Sequence, residues 1–196
     1  KPKAAFKFYG GGNGLQSLRM CGRVMDGLIS SGTYIPMLKA GRLPGMLATA
    51  DQAAKESDPN KRLRKVCELN VSIARDREKA IEFPKRHVAH SILQWEALGF
   101  TPEEYAKMGV KREQVLRLKD AFASGAAVEE AAKLVTEHMV KSYYAAGTPE
   151  EVRDQIIELV GAAGCLGYDH VAFAKLGPDY EEAINLLADQ VVPALR

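Results

Sequence analysis

Four glycines in five positions, Gly10, Gly11, Gly12 and Gly14, surround Asn13 in "FYGGGNGLQSLRMCGRVMDGLI". Glycine lets backbone amides approach a ligand closely and allows positive φ. Asn13 tolerates left-handed geometry and adds a side-chain donor. A helical pattern follows at once, and a helix start offers unpaired N–H groups and a partial positive charge. The matching chemistry is binding of a phosphate or another anion. The nucleotide fingerprints do not fit. A P-loop needs Gly-Lys-Ser/Thr, whereas Gly14 is followed by Leu15 and Gln16. The dinucleotide pattern would put its third glycine on Leu15 or Ser17, with no acid about 20 residues further on. On pattern alone, a tight turn without a ligand stays open as the alternative.

Other reactive side chains have plainer explanations. Glu104 and Glu151 occur in "TPEEYAKM" and "TPEEVRDQI". There Thr101 and Thr148 read as N-caps, Pro102 and Pro149 as first helical residues, and the glutamates as the closing half of capping boxes. His87 and His90, three apart on a helix, share a face but have no third metal ligand in view. No metal is expected. Asp169 and His170 fall on opposite faces of a strand. Cys21, Cys67 and Cys165 are odd in number and far apart. They read as buried thiols in a reducing, cytoplasmic setting. Trp95 and Tyr143–Tyr144 read as packing, because no basic patch accompanies them.

These residues need elements to position them. The spacing predicts a strand at Ala4–Tyr9, a helix at Leu15–Arg23 and a strand at Val24–Ser30. Tyr34–Ser57 reads as broken helix, "DPNK" as a turn, and Leu63–Ala74 as a third strand. Asp76 caps a long helix to about Leu98, and Thr101–Ala146 reads helical throughout. Helix Pro149–Ala163, strand Gly167–Phe173 and a last helix complete the chain. Strand and helix alternate four times, which implies an α/β fold with a parallel sheet. Apolar stretches such as "HVAFA" imply burial on both faces. The 196 residues suit a single domain, 1–196. A net charge of +2 gives no reason to expect nucleic acid or a membrane surface. No signal peptide is expected, because "KPKAAFKFYGGG" leads straight into a strand-like segment.

The segment "GGNGLQSLRMCGRVMDGLI" resembles the "(A/G)xxGPKxLxLAGxxADGVI" stretch of the luciferase-like superfamily of TIM-barrel flavin and deazaflavin enzymes. The ending "GTPEEVRDQIIELVGAAGCLGYDHVAFAKLGPDYEEAINLLADQVVPAL" is similar to that of the branch containing methylenetetrahydromethanopterin reductase, and "NVSIARDREKA" to the family's seventh strand and following helix. The resemblance implies strands five to eight of a (β/α)₈ barrel, with a helical insertion at about 99–147 before the last strand. It implies that Gly11, Gly12, Asn13 and Gly14 receive the phosphate of the deazaflavin coenzyme F-420, or of FMN. Ser30 and Ser31, after the second strand, would lie at the functional end of the barrel. The family's Pro-Lys is Leu15-Gln16 here, which removes a cationic helper.

A full barrel takes roughly 250 residues, so the resemblance covers its second half. A companion chain, a second copy or the rest of a longer polypeptide would complete it. The implied activity is hydride transfer between coenzyme F-420 and an organic small-molecule substrate. The alternatives are an FMN-dependent monooxygenase of the same superfamily and a non-catalytic flavin-binding half-barrel or fragment. An unrelated α/β phosphate-binding enzyme is a further reading.

Overall fold

The computed structural model describes residues 6–195. Ala4 and Ala5 of the first expected strand lie outside this range. The chain packs as two compact units: residues up to Leu69 with Val160–Ala172, and Asn70–Leu159 with the segment from Phe173.

In the first unit, β1 (Tyr9–Gly11), α1 (Leu15–Val24), β2 (Gly27–Ser30), α2 (Tyr34–Ala40), α3 (Leu43–Ser57) and the start of β3 (Arg64–Ile73) follow one another. β1 pairs with β2, and β2 with β3, all parallel; Ile29 stands beside Gly11 on one side and Val66 on the other. β1 is shifted toward the glycines, so Gly10 and Gly11 are strand residues. α1 runs one residue further than expected, and β2 starts only at Gly27. The Asp26 carboxylate accepts from the Phe8 amide and from Lys7, fixing the corner between them. Gly41, at φ +79°, divides the broken helix into α2 and α3.

Leu18, Cys21, Leu28, Leu47, Ala50, Ala54 and Leu63 form this unit's core. α1 and α3 touch closely at Gly22, where an added Cβ would stand 2.3 Å from the Ala50 carbonyl oxygen.

In the second unit the end of β3 pairs in parallel with β4 (Tyr144–Gly147), Asn70 opposite Tyr144. β4 corrects the expectation that Thr101–Ala146 is helical throughout. Its backbone bonds come from β3, more than 70 residues earlier, and no local pattern reports that. The expected long helix after Asp76 is three short ones: α4 (Arg77–Glu82), α5 (Lys85–Ser91) and α6 (Gln94–Ala97). Pro84 stands at the first break, where it cannot continue the hydrogen-bond ladder. Short helices α7 (Pro102–Lys107), α8 (Arg112–Ala123), α9 (Val128–Ala132) and α10 (Glu137–Lys141) precede β4. Trp95 is fully buried against Phe100, Tyr105 and Tyr143, with ring centroids 5.3–5.7 Å apart, so the packing role expected of it holds.

Both capping boxes form. Thr101 and Glu104 exchange backbone–side-chain bonds at 2.7 and 3.3 Å, and Thr148 and Glu151 at 2.9 and 3.4 Å. α11 (Pro149–Cys165), β5 (His170–Gly177) and α12 (Tyr180–Leu186) follow, then a π-helical turn, Leu187–Val191. β5 pairs with β3. Its residues 170–172 are exposed, against the expectation of burial on both faces, because no neighbouring element among the described residues covers them. Cys165 is likewise exposed at the end of α11, while Cys21 and Cys67 are buried as expected. Among the described residues, no helix is long and apolar enough to cross a membrane.

Candidate functional site

All six expected site residues fall in the first unit, at the carboxyl ends of β1 and β2. None of Gly10–Gly14 has a positive φ. Space, not handedness, explains two of these glycines. A Cβ on Gly10 would meet Cys21 Sγ at 2.6 Å, and one on Gly12 would meet Ser17 Cβ at 2.5 Å. These close approaches seat α1 on the strand. Gly14 differs: its φ of −89° suits any residue, and nothing lies within 4 Å of the Cβ position. The loop therefore leaves open space at the start of α1.

That start is unsatisfied. Gly14 supplies no side-chain cap, and the first turn of α1 carries no acid. α4, α7 and α12 are capped by Asp76, Thr101 and Asp179. The first amides of α1 remain available as donors, with the helix dipole behind them.

Ser31 joins this group. Its Oγ is 3.8 Å from the Cβ position of Gly11. Thr33, which the sequence reading missed, donates from Oγ1 to Asn13 Oδ1 at 2.9 Å and lies 3.0 Å from the Ser31 carbonyl. It ties the glycine loop to the loop after β2 and leaves Asn13 Nδ2 to donate elsewhere. Only its position just after Ser31 could have marked it.

Ser30 turns away from this group. Its hydroxyl is 2.6 Å from the Tyr168 hydroxyl, a partner 138 positions away that the sequence reading also missed. Tyr168 meets Tyr34 edge-on at 5.4 Å. Burial pushes the Cys67 thiol up to about 12. Burial also pushes the Tyr168 hydroxyl up to about 12, against the opposing pull of the Ser30 bond. Burial raises Tyr34 as well, with smaller contributions from Cys67 and Tyr168. These groups stay neutral at pH 7. They can hold a loop in place, but they do not supply a base or a thiolate. The arrangement offers neutral donors and a helix dipole, which suits binding and orienting an anionic group.

The remaining candidates have structural partners. Asp169 accepts from the Lys65 amide at 2.8 Å and from Arg62 at 2.6 Å. His170 is exposed. Glu151 additionally pairs with Arg77 at 3.0 Å. In the second unit His90 stacks on Phe122 at 4.5 Å. His87 is half-buried, with Nδ1 3.0 Å from the Tyr144 hydroxyl and Nε2 3.0 Å from the Ser91 hydroxyl. Its Nε2 also meets Lys175 Nζ. An ammonium only donates, so Nε2 accepts and Nδ1–H donates to Tyr144. Burial, then the charge of Lys175, lowers the ring's pKa to about 4.

A family model described as luciferase-like monooxygenase matches residues 2–165. The chain is 28% identical over 187 residues to the 5,10-methylenetetrahydromethanopterin reductase of Methanopyrus kandleri, covering 95% of this chain and 50% of that protein. It is 26% identical over 198 residues to the F-420-dependent glucose-6-phosphate dehydrogenase of Nakamurella multipartita, covering all of this chain and 50% of that one. The solved structure of the coenzyme F-420-dependent tetrahydromethanopterin reductase from Methanopyrus kandleri superposes with a TM-score of 0.70 at 26% identity, covering 97% of this chain and 51% of that one. The chain thus spans about half the length of the curated relatives it matches.

Proposed function

The chain belongs to the luciferase-like monooxygenase family, and from that we propose that it forms strands five to eight of a (β/α)₈ barrel in an oxidoreductase that transfers a hydride between coenzyme F-420 and an organic substrate. One observation carries the reading: the open, uncapped start of α1 beside Gly14, tied to Asn13, Thr33 and Ser31. Relatives with F-420 in their names support the choice of coenzyme.

The residues fit a phosphate. The first amides of α1 and Asn13 Nδ2 donate to its oxygens, and the Ser31 hydroxyl adds a neutral donor. Gly11, Gly12 and Gly14 keep the approach clear. The coenzyme supplies the hydride chemistry when bound. The chain's part is to hold the phosphate end and fix its orientation. Ser30 and Tyr168 stiffen the end of β2 from behind. No cationic side chain follows Gly14, so the dipole and the neutral donors carry the attraction, at about 0.3–1 kcal/mol for the dipole at an exposed site.

FMN is the second reading, with monooxygenase chemistry on a small organic molecule. The family's description favours it, and its phosphate would use the same donors. A companion chain, a second copy or further sequence supplies the other half of the barrel. The reducing, cytoplasmic setting expected from the cysteines belongs to the same reading.

Native mass spectrometry of the purified chain with F-420 or FMN tests it. Retention of F-420, weakened at least tenfold by Gly14→Asp, supports the proposal. Retention of FMN alone moves it to the second reading. A chain that holds neither coenzyme in any assembly overturns it in favour of a non-catalytic half-barrel.

A further inference from the structure

The loop before α1 holds an Asn-Gly pair, Asn13–Gly14, and an Asp-Gly pair, Asp26–Gly27, leads into β2. In both, the glycine nitrogen faces a side-chain carbonyl one residue back, and glycine has no Cβ to obstruct ring closure between them. The structure separates the two pairs. The Gly27 amide donates to the Phe8 carbonyl at 3.2 Å, the Asp26 carboxylate accepts from the Phe8 amide at 2.9 Å, and Gly27 is buried. Asn13–Gly14 has none of these restraints. Among the described residues, neither the Gly14 N–H nor Asn13 Nδ2 has an acceptor. Nothing lies within 4 Å of the Gly14 Cβ position. The Asn13 side chain is bonded through Oδ1, which accepts from Thr33 Oγ1 at 2.9 Å. A donor there draws charge from the carbonyl carbon and stabilises the oxygen as it becomes negative. The nucleophile and the leaving amine are thus free, and the carbonyl between them is activated. The other three asparagines are held. The amide after Asn60 donates to the Asp58 carbonyl, Asn70 is buried with Nδ2 on the Tyr143 carbonyl, and Asn185 lies within α12.

We propose that Asn13–Gly14 is a self-modifying site whose conversion closes the loop to anions. The Gly14 nitrogen forms a bond to Asn13 Cγ, the Cγ–Nδ2 bond breaks, and the Gly14 amide proton leaves with the amine as ammonia. Water then opens the cyclic imide to aspartate or isoaspartate; nothing is oxidised or reduced. Either product replaces the Nδ2 donor by a carboxylate, and isoaspartate also lengthens the backbone. That negative charge stands beside the first amides of α1 and takes the place of a bound anion. The closing of the loop rests on the anion-loop reading above, whereas the conversion itself does not. A phosphate held by Asn13 Nδ2 and these amides fixes the leaving amine and slows the step. Loaded protein is spared and idle protein is switched off.

Ageing the purified chain at mildly alkaline pH, followed by peptide mapping that separates asparagine, aspartate and isoaspartate, tests this. Conversion should be confined to Asn13 and give both products, with Asn60, Asn70, Asn185 and Asp26 unchanged. Gly14→Ala, whose Cβ enters open space, should convert many-fold more slowly with its fold intact. Aged chain should hold F-420 or FMN at least about tenfold more weakly than fresh chain, because like charges are brought together. A retained coenzyme should slow the conversion. Asn13 that survives as long as Asn60 and Asn185 overturns the inference. So does Gly14→Ala chain that converts as fast as wild type. Converted chain that binds coenzyme as tightly as fresh chain overturns the switch. Coenzyme retention by fresh chain is read separately. Fresh chain that holds neither coenzyme yet converts at Asn13 sinks the coenzyme reading and leaves the modification site standing. Fresh chain that holds coenzyme and never converts does the reverse.

Discussion

Lowering the pH from 7 to 4.5 should cost this fold stability through one imidazole, His87. The folded state holds its pKa near 4, mainly by burial and then by the Lys175 charge, against an ordinary value of 6.5. The unfolded chain takes up a proton as the pH falls through 6.5, while the folded chain resists until near 4. The contribution is therefore complete above 6.5, drains away between 6.5 and 4, and is constant below. At about 1.4 kcal/mol per pH unit across that interval, the ceiling is about 3 kcal/mol. Solvent reaches the half-buried ring, so about 2 kcal/mol is the working figure.

The perturbation is His87→Gln, which keeps a polar side chain but cannot titrate. Urea unfolding at pH 7, 6, 5 and 4.5 gives ΔG for both chains. The carboxylates titrate alike in the two and cancel in the difference. The variant starts less stable and loses about 2 kcal/mol less over the range. Lys175→Met should raise the apparent midpoint of the His87 titration, because the adjacent positive charge is gone. Parallel stability curves for wild type and His87→Gln would refute the neutral, locked imidazole.

Gly22→Ala should destabilise by about 2–4 kcal/mol in thermal unfolding, because its Cβ meets the rigid Ala50 carbonyl at 2.3 Å. Gly45→Ala, within α3 and with nothing inside 4 Å, should stabilise by about 0.5–1 kcal/mol. Thr101→Ala should cost about 1 kcal/mol by removing the α7 cap, measured by urea unfolding. A thiol reagent should modify Cys165 rapidly in the native chain, and Cys21 and Cys67 only on unfolding; fast reaction at Cys67 would contradict its buried, neutral state. In a carbon-detected titration Glu96 should change charge near pH 2, held down first by Arg112 and then by Tyr105, and Arg112→Met should move that midpoint up.

Much was legible in the sequence because it is local. Thr101 with Glu104, and Thr148 with Glu151, sit three residues apart, so the capping boxes could be read directly. The βα alternation gave the parallel α/β class, and β3 was placed within a residue at each end. The glycine run was found, but the positive φ expected of it is absent and the steric need at two of its positions was not read. Gly10 and Gly12 make room for Cys21 and Ser17, and a composition pattern does not show which neighbour needs the space.

The α/β class, the caps and the place of the glycine-rich loop could be read from the residues alone, because these depend on positions a few apart. Tertiary structure alone decided the rest. β4 exists because β3 offers its backbone bonds. Ser30 turns to Tyr168, and His87 is neutral because β4 and β5 bring Tyr144 and Lys175 against it. Those partners lie 57 to 138 residues away. No local propensity encodes such contacts: they form only once the chain has paid the entropy of closing those loops.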